Sequence, residues 1–214
     1  MKKTRKILLM AACAVLLVCI SVGATVAYLT STDSVTNTFT VGKVAITLDE
    51  AKVGTDGTPV ANADRVKANE YKLMPGHEYT KDPTIHVTAG SENCYLFVKV
   101  ENGITALEAT GKTIADQMAA KGWVAIAEGS NVYYLTETVD GVITAKVDNS
   151  GDVVVFEKFT LKDDADTTNA TANYANAKVT VTAYAVQADG FANAKAAWEA
   201  TFGKPDSPYD TVKP

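Results

Sequence analysis

The chain has 214 residues, a formal net charge of −5 and three cysteines, which is ample for one hydrophobic core and short for two. Without residues 1–27, sixteen basic residues face twenty-five acidic ones, a net charge of −9. That acidity argues against nucleic acid or an anionic lipid surface as partner.

Lys2, Lys3, Arg5 and Lys6 open the chain, and no further charge occurs before Asp33. An apolar run, 7–22, and the small residues GATVA follow, the order of an export signal whose basic end stays cytoplasmic. Extended through Leu29 the run is also long enough to span a bilayer, so cleavage and anchoring compete; Thr25 and Ala27 offer the small side chains a signal peptidase accommodates, which favours cleavage between Ala27 and Tyr28. Cys13 and Cys19 fall in this leader. Val18 is a poor residue to precede a lipidated Cys19, and lipidation at Cys13 leaves a very short apolar core. Cys94 alone remains, so no internal disulfide is possible.

Residues 28–38 read as a linker and 39–203 as a single β domain. Phe39 and Val41 are apolar at odd positions and Val44, Ile46 and Leu48 at even ones, which predicts a bulge near Gly42. Residues 51–68 read as a long loop or a short embellishment that adds no core. Residues 71–74 approach a Pro75-Gly76 turn, and strands are expected at 85–87 and 95–100, with Cys94 sharing the inward parity of Leu96, Val98 and Val100. A helix is expected over 112–121, opened by Thr113 and Asp116 at capping-box spacing and stopped by Gly122. Strands follow at 123–127, 131–136, 142–147 and 153–161, with Asp140-Gly141 as a hairpin turn.

The polar stretch 162–177 reads as a solvated loop, and its Asn169-Ala170-Thr171 matches the glycosylation pattern. Val179, Val181, Ala183 and Ala185 alternate with Thr180, Thr182 and Tyr184, the clearest strand of the chain. Phe191, Ala194, Trp198 and Phe202 then form one stripe of a short helix, read as core packing. Residues 204–214 read as a loose tail. Many short strands without strand–helix alternation predict an all-β fold, an antiparallel β-sandwich with short helical insertions.

Chemistry is sparse. His77-Glu78 begins like a zinc-protease HExxH motif, but Lys81 stands where the second histidine belongs and Pro75-Gly76 puts His77 in a turn. His86 lies in a predicted strand, and both histidines read as surface or edge residues. There is no GxSxG elbow and no glycine-rich phosphate loop. Asp163, Asp164 and Asp166 lack the alternating spacing of a calcium loop. No catalytic residue, cofactor or metal ligand is expected, and the residues read as a non-enzymatic exported domain.

Three segments together resemble one family: GATVAYLTSTDSVTNTFTVGKVAI (23–46), KLMPGHEYTKDPTIHVTAGSENCYLFVKV (72–100) and KVTVTAYAVQADGF (178–191). They are similar to the leader end and first strand, the PG turn and following strand, and the last long strand of the TasA/camelysin family of exported bacterial proteins. The resemblance implies a jelly-roll sandwich, processing by a SipW-type signal peptidase and a role as a subunit of biofilm-matrix or cell-surface fibres. It also implies a head-to-tail homopolymer, with other matrix proteins as further partners. The donor strand is then Tyr28 to Thr38, including Leu29 and Val35, inserted into the next copy. Two alternatives stand beside it. One is a camelysin-like secreted metalloendopeptidase using His77, Glu78 and His86. The other is a carbohydrate- or protein-binding surface module, with Tyr133 or Tyr134 on the outer face.

Overall fold

The computed structural model describes residues 42–139, 142–148, 151–165 and 177–204, besides the isolated Lys3. The leader, the Ala27-Tyr28 cleavage point and the donor positions Leu29, Val35 and Thr38 lie outside these residues. So do Phe39, Val41, the Asp140-Gly141 turn, the 169–171 glycosylation pattern, Asp166 and residues 205–214.

The fold is all-β, and among the described residues it is built of antiparallel sheets with two short α-helices and a 3-10 turn over Thr105–Leu107. Its strands are β1 (Ile46–Asp49), β2 (Glu78–Thr80), β3 (Thr84–Val87), β4 (Cys94–Asn102), β5 (Trp123–Ala125), β6 (Val132–Val139), β7 (Val142–Ala145), β8 (Val147–Asp148), β9 (Gly151–Val154), β10 (Lys158–Thr160) and β11 (Val179–Gln187). The helices are α1 (Ile114–Ala120) and α2 (Ala194–Phe202). One sheet runs β1-β3-β9, β2 pairs with β10 as a ribbon, and a larger sheet runs β11-β4-β6-β5, with β7 on β6 and β8 on β4.

Strand β4 organises the larger sheet. It pairs with β11 from Cys94↔Gln187 to Asn102↔Val179, and on its other side with β6 and β8. Because strand side chains alternate, Cys94, Leu96, Val98 and Val100 join Ile85 and Val87 of β3 in the main core, so the two sheets share one interior. The opposite parity is apolar too. Tyr95 and Phe97 pack with Tyr184 and Val186 of β11 beneath helix α2, whose fully buried Trp198 is the centre of a second cluster. The expected stripe of Phe191, Ala194, Trp198 and Phe202 all falls in that cluster.

Helix α1 has the expected capping box, Thr113 accepting from the Asp116 amide while Asp116 accepts from the Thr113 amide. Gly122 ends it at φ 86°, a conformation glycine adopts without steric cost.

Four expectations change. The chain over 42–45 is not strand: it runs beside 88–92 through Lys43, Ala45, Thr88 and Glu92 backbone bonds, with the Glu92 side chain lying against Gly42. Among the described residues the ladder starts at Ile46, beyond the position of the expected bulge. The loop 51–68, expected to add no core, buries Val53 and is held by a Glu50↔Val66 bridge and a Val53↔Pro59 bridge. The expected strand 153–161 is two strands in different sheets. Val155 donates to the Pro83 carbonyl, and Gln117 of α1 clasps the bend by accepting from Glu157 and Lys158 amides and donating to the Lys158 carbonyl. The ribbon strand β2 has no counterpart in the sequence reading. It is pinned by fully buried Tyr79, whose ring stacks on Phe159 at 4.8 Å and whose hydroxyl donates to Lys72 O and accepts from Met74 N.

Candidate functional site

The residues of the zinc-protease alternative go to separate places. His77 Nε2 donates to the Asp56 carbonyl oxygen at 2.8 Å, and its ring meets Tyr79 edge-on. Glu78 pairs with Lys158 at 2.9 Å and accepts from Thr160; Lys158 holds its carboxyl below the usual range. Lys81 pairs with Glu50 at 2.5 Å. His86 is not an edge residue: β3 is the middle strand of its sheet, with β1 on one side and β9 on the other. Among the described residues no three His, Cys, Asp or Glu side chains are placed to hold a metal ion.

The other singled-out groups are also accounted for. Cys94 is fully buried. Asp163 packs so closely on Gly76 that a Cβ there comes within 2.6 Å of its Oδ1, and Asp163 and Asp164 are exposed. Tyr133 packs on the main core and Tyr134 on the cluster under α2, so neither ring forms an exposed platform.

The position with the shape of a binding site is the end of the three-stranded sheet. Among the described residues β9 pairs with β3 alone. Asp152, Val153 and Val154 of β9 form one wall of an open groove of about 400 Å³, faced by Leu135, Thr136 and Glu137 of β6 with Lys121 and Lys146. An edge strand beside a groove with apolar lining and a charged rim can take an extended segment: backbone groups extend the ladder and alternate side chains seat in the groove.

Next to the groove, the outer face of this sheet carries a charged network. Alternation puts Ile46, Leu48, Ile85 and Val153 inward, leaving Thr47, Asp49, Thr84, His86 and Asp152 outward. His86 stands opposite Asp152 and diagonal to Asp49. Its Nδ1 lies 2.6 Å from Asp152 Oδ1 and its Nε2 2.9 Å from Asp49 Oδ1. Arg65, from the tied-down loop, lies over the same face. It bonds Asp49, Asp82 at 3.0 Å and the Thr84 hydroxyl at 2.8 Å.

These contacts set the charge states. Asp49 and Asp152 raise the His86 pKa above its ordinary value, against the effect of partial burial. Burial works to raise the Asp49 pKa, but Arg65 and His86 outweigh it and hold the carboxyl below its usual range. Asp49, Arg65, Asp82 and Asp152 were not singled out in the sequence. They lie on four separate segments, and no local spacing marks their convergence on His86.

Comparison with protein-family models, with curated proteins and with solved structures finds no match for this chain.

Proposed function

We propose that the chain is an exported structural protein, a subunit of a biofilm-matrix or cell-surface fibre. In this reading a SipW-type signal peptidase frees residues 28–38, which add as a strand to the β9 edge of the next copy. Head-to-tail repetition of that step makes an open filament. The observation that carries the reading is β9 itself, an edge strand flanked by an open groove of about 400 Å³ with Leu135, Val153 and Val154 in its lining. The leader, the resemblance and the antiparallel framework support it, and a jelly-roll connection of the sheets belongs to it. The end strand of the larger sheet, β11, is longer than β9 but the poorer acceptor because β1 lies alongside it.

The test is a chain beginning at Tyr28, followed by negative-stain microscopy and sedimentation over a wide range of concentration and pH. Fibres are expected, and a Val35→Cys, Val154→Cys variant should form intersubunit disulfides within them. Monomers throughout would sink the reading. Fibres that form without that cross-link would move the acceptor away from β9.

The metalloendopeptidase and surface-module alternatives gain no comparable support, since His77, Glu78 and His86 each bond elsewhere and the half-buried Tyr133 and Tyr134 pack on different clusters on opposite faces of β6. One equivalent of zinc, with proteolysis lost in His77→Ala, would reverse that ranking.

A further inference from the structure

Both ring nitrogens of His86 face carboxylate oxygens, on β9 at one end and β1 at the other. A neutral imidazole has one N–H and one lone pair, so it donates to one of them and turns a lone pair toward the other. Only the imidazolium satisfies both. The two carboxylates are not equally dependent on it. Asp49 has a second cation in Arg65, which also holds Asp82. The Asp152 side chain is 68% exposed, is bound to His86, and lines the groove. The remaining neighbours on this face, Thr47 and Thr84, are uncharged. Lys67 bonds the Leu48 carbonyl, and the groove adds Lys121, Glu137 and Lys146.

We propose that His86 is a proton-operated clasp on the β9 edge. Protonated, it holds Asp152 against β3 and keeps β9 in the shape that accepts a strand. Deprotonated, it keeps Asp49, which Arg65 also anchors, and releases Asp152 into the groove, adding a negative charge to the acceptor wall and loosening the edge. The role in assembly rests on the β9 acceptor reading above; the clasp itself does not. Because folding raises the His86 pKa, the clasp contributes fully below the ordinary value of 6.5 and is lost as pH rises through the folded value.

Two measurements on a chain beginning at Gly42, the compact unit that carries every strand described above, separate the two ideas. The first is His86 titration by NMR together with amide exchange at Gly151–Val154, corrected for intrinsic rates. A raised pKa is expected, with β9 opening increasing up to about tenfold for each unit by which the pKa is raised. That pH profile should flatten in His86→Gln and in Asp152→Asn, whereas Lys158→Ala, at a different ion pair, should leave it unchanged. The second is binding of a synthetic 28–38 peptide to a chain beginning at Gly42, at about pH 5 and about pH 9. Tighter binding at the lower pH is expected in the wild type and not in Asp152→Asn. A His86 that titrates at or below its ordinary value, or a β9 profile indifferent to both substitutions, overturns the clasp. Peptide binding that ignores pH overturns its role at the acceptor. No binding at any pH, with the β9 profile as expected, defeats the acceptor reading and leaves the clasp as a device of the sheet alone.

Discussion

Lys81 stands where a zinc protease has its second histidine, and here its ammonium is the partner of a buried carboxylate. The Glu50 and Lys81 side chains are 6% and 12% exposed, and Asn69 Nδ2 also donates to Glu50. Removing one member of such a pair strands the other charge away from water. Lys81→Met should therefore cost about 3–5 kcal/mol, and Glu50→Leu combined with it should return most of the loss. A urea double-mutant cycle measures both. Arg65 makes a different prediction. Because Asp49 titrates below its ordinary 3.8 in the folded chain, its contribution is present above that pH and is lost as pH falls through the folded value. Arg65→Met should lower stability at neutral pH, and the gap between variant and wild type should close below about pH 4 in urea midpoints taken across the acid range.

At the scale of elements, α1 acts beyond its own length. Its cap is exposed, and Thr113→Ala should cost about 1 kcal/mol. Gln117, on the same helix, holds the bend between β9 and β10 through three backbone contacts, so Gln117→Ala should cost more, about 2 kcal/mol. It should also raise amide exchange at Glu157 and Lys158, which Thr113→Ala should not. The same contact shows why some elements were legible in the sequence and others were not. Strands β4 and β11, the cap of α1 and the stripe of α2 each carry their signal in neighbouring residues. The break between β9 and β10 does not, because Val153, Val155, Phe159 and Leu161 keep one parity through it and the residue that holds it lies some forty positions upstream. Strand β2 is three residues long, too short for alternation to show. His86 was visible as a residue but not as a middle-strand residue, since that requires knowing that Asp49 and Asp152 come from the strands on either side.

For the whole molecule the prediction concerns processing. If residues 28–38 are the exchanged strand, they must be free of the apolar run 7–22 before they can reach a neighbour. Ala27→Arg should block cleavage, retain the chain at the membrane and abolish fibres, while leaving the domain folded because no core residue changes. Immunoblotting for the uncleaved form, microscopy for fibres and circular dichroism of the solubilised chain check the three parts. Normal fibres from uncleaved chain would mean that another segment is exchanged.

The double-faced apolar character of β4 also sets an order in time. A chain synthesised amino end first presents Tyr95, Leu96, Phe97 and Val98 long before β11 and α2 have emerged. Until then neither face of β4 is fully covered and one of its two ladders has no partner. Closure waits for the last quarter of the sequence, so folding is dominated by distant pairings, a regime of milliseconds to seconds rather than microseconds. During that interval the nascent chain offers a nearly all-apolar strand to any neighbour. Emerging chains therefore have to be kept apart, or covered, until Trp198 arrives.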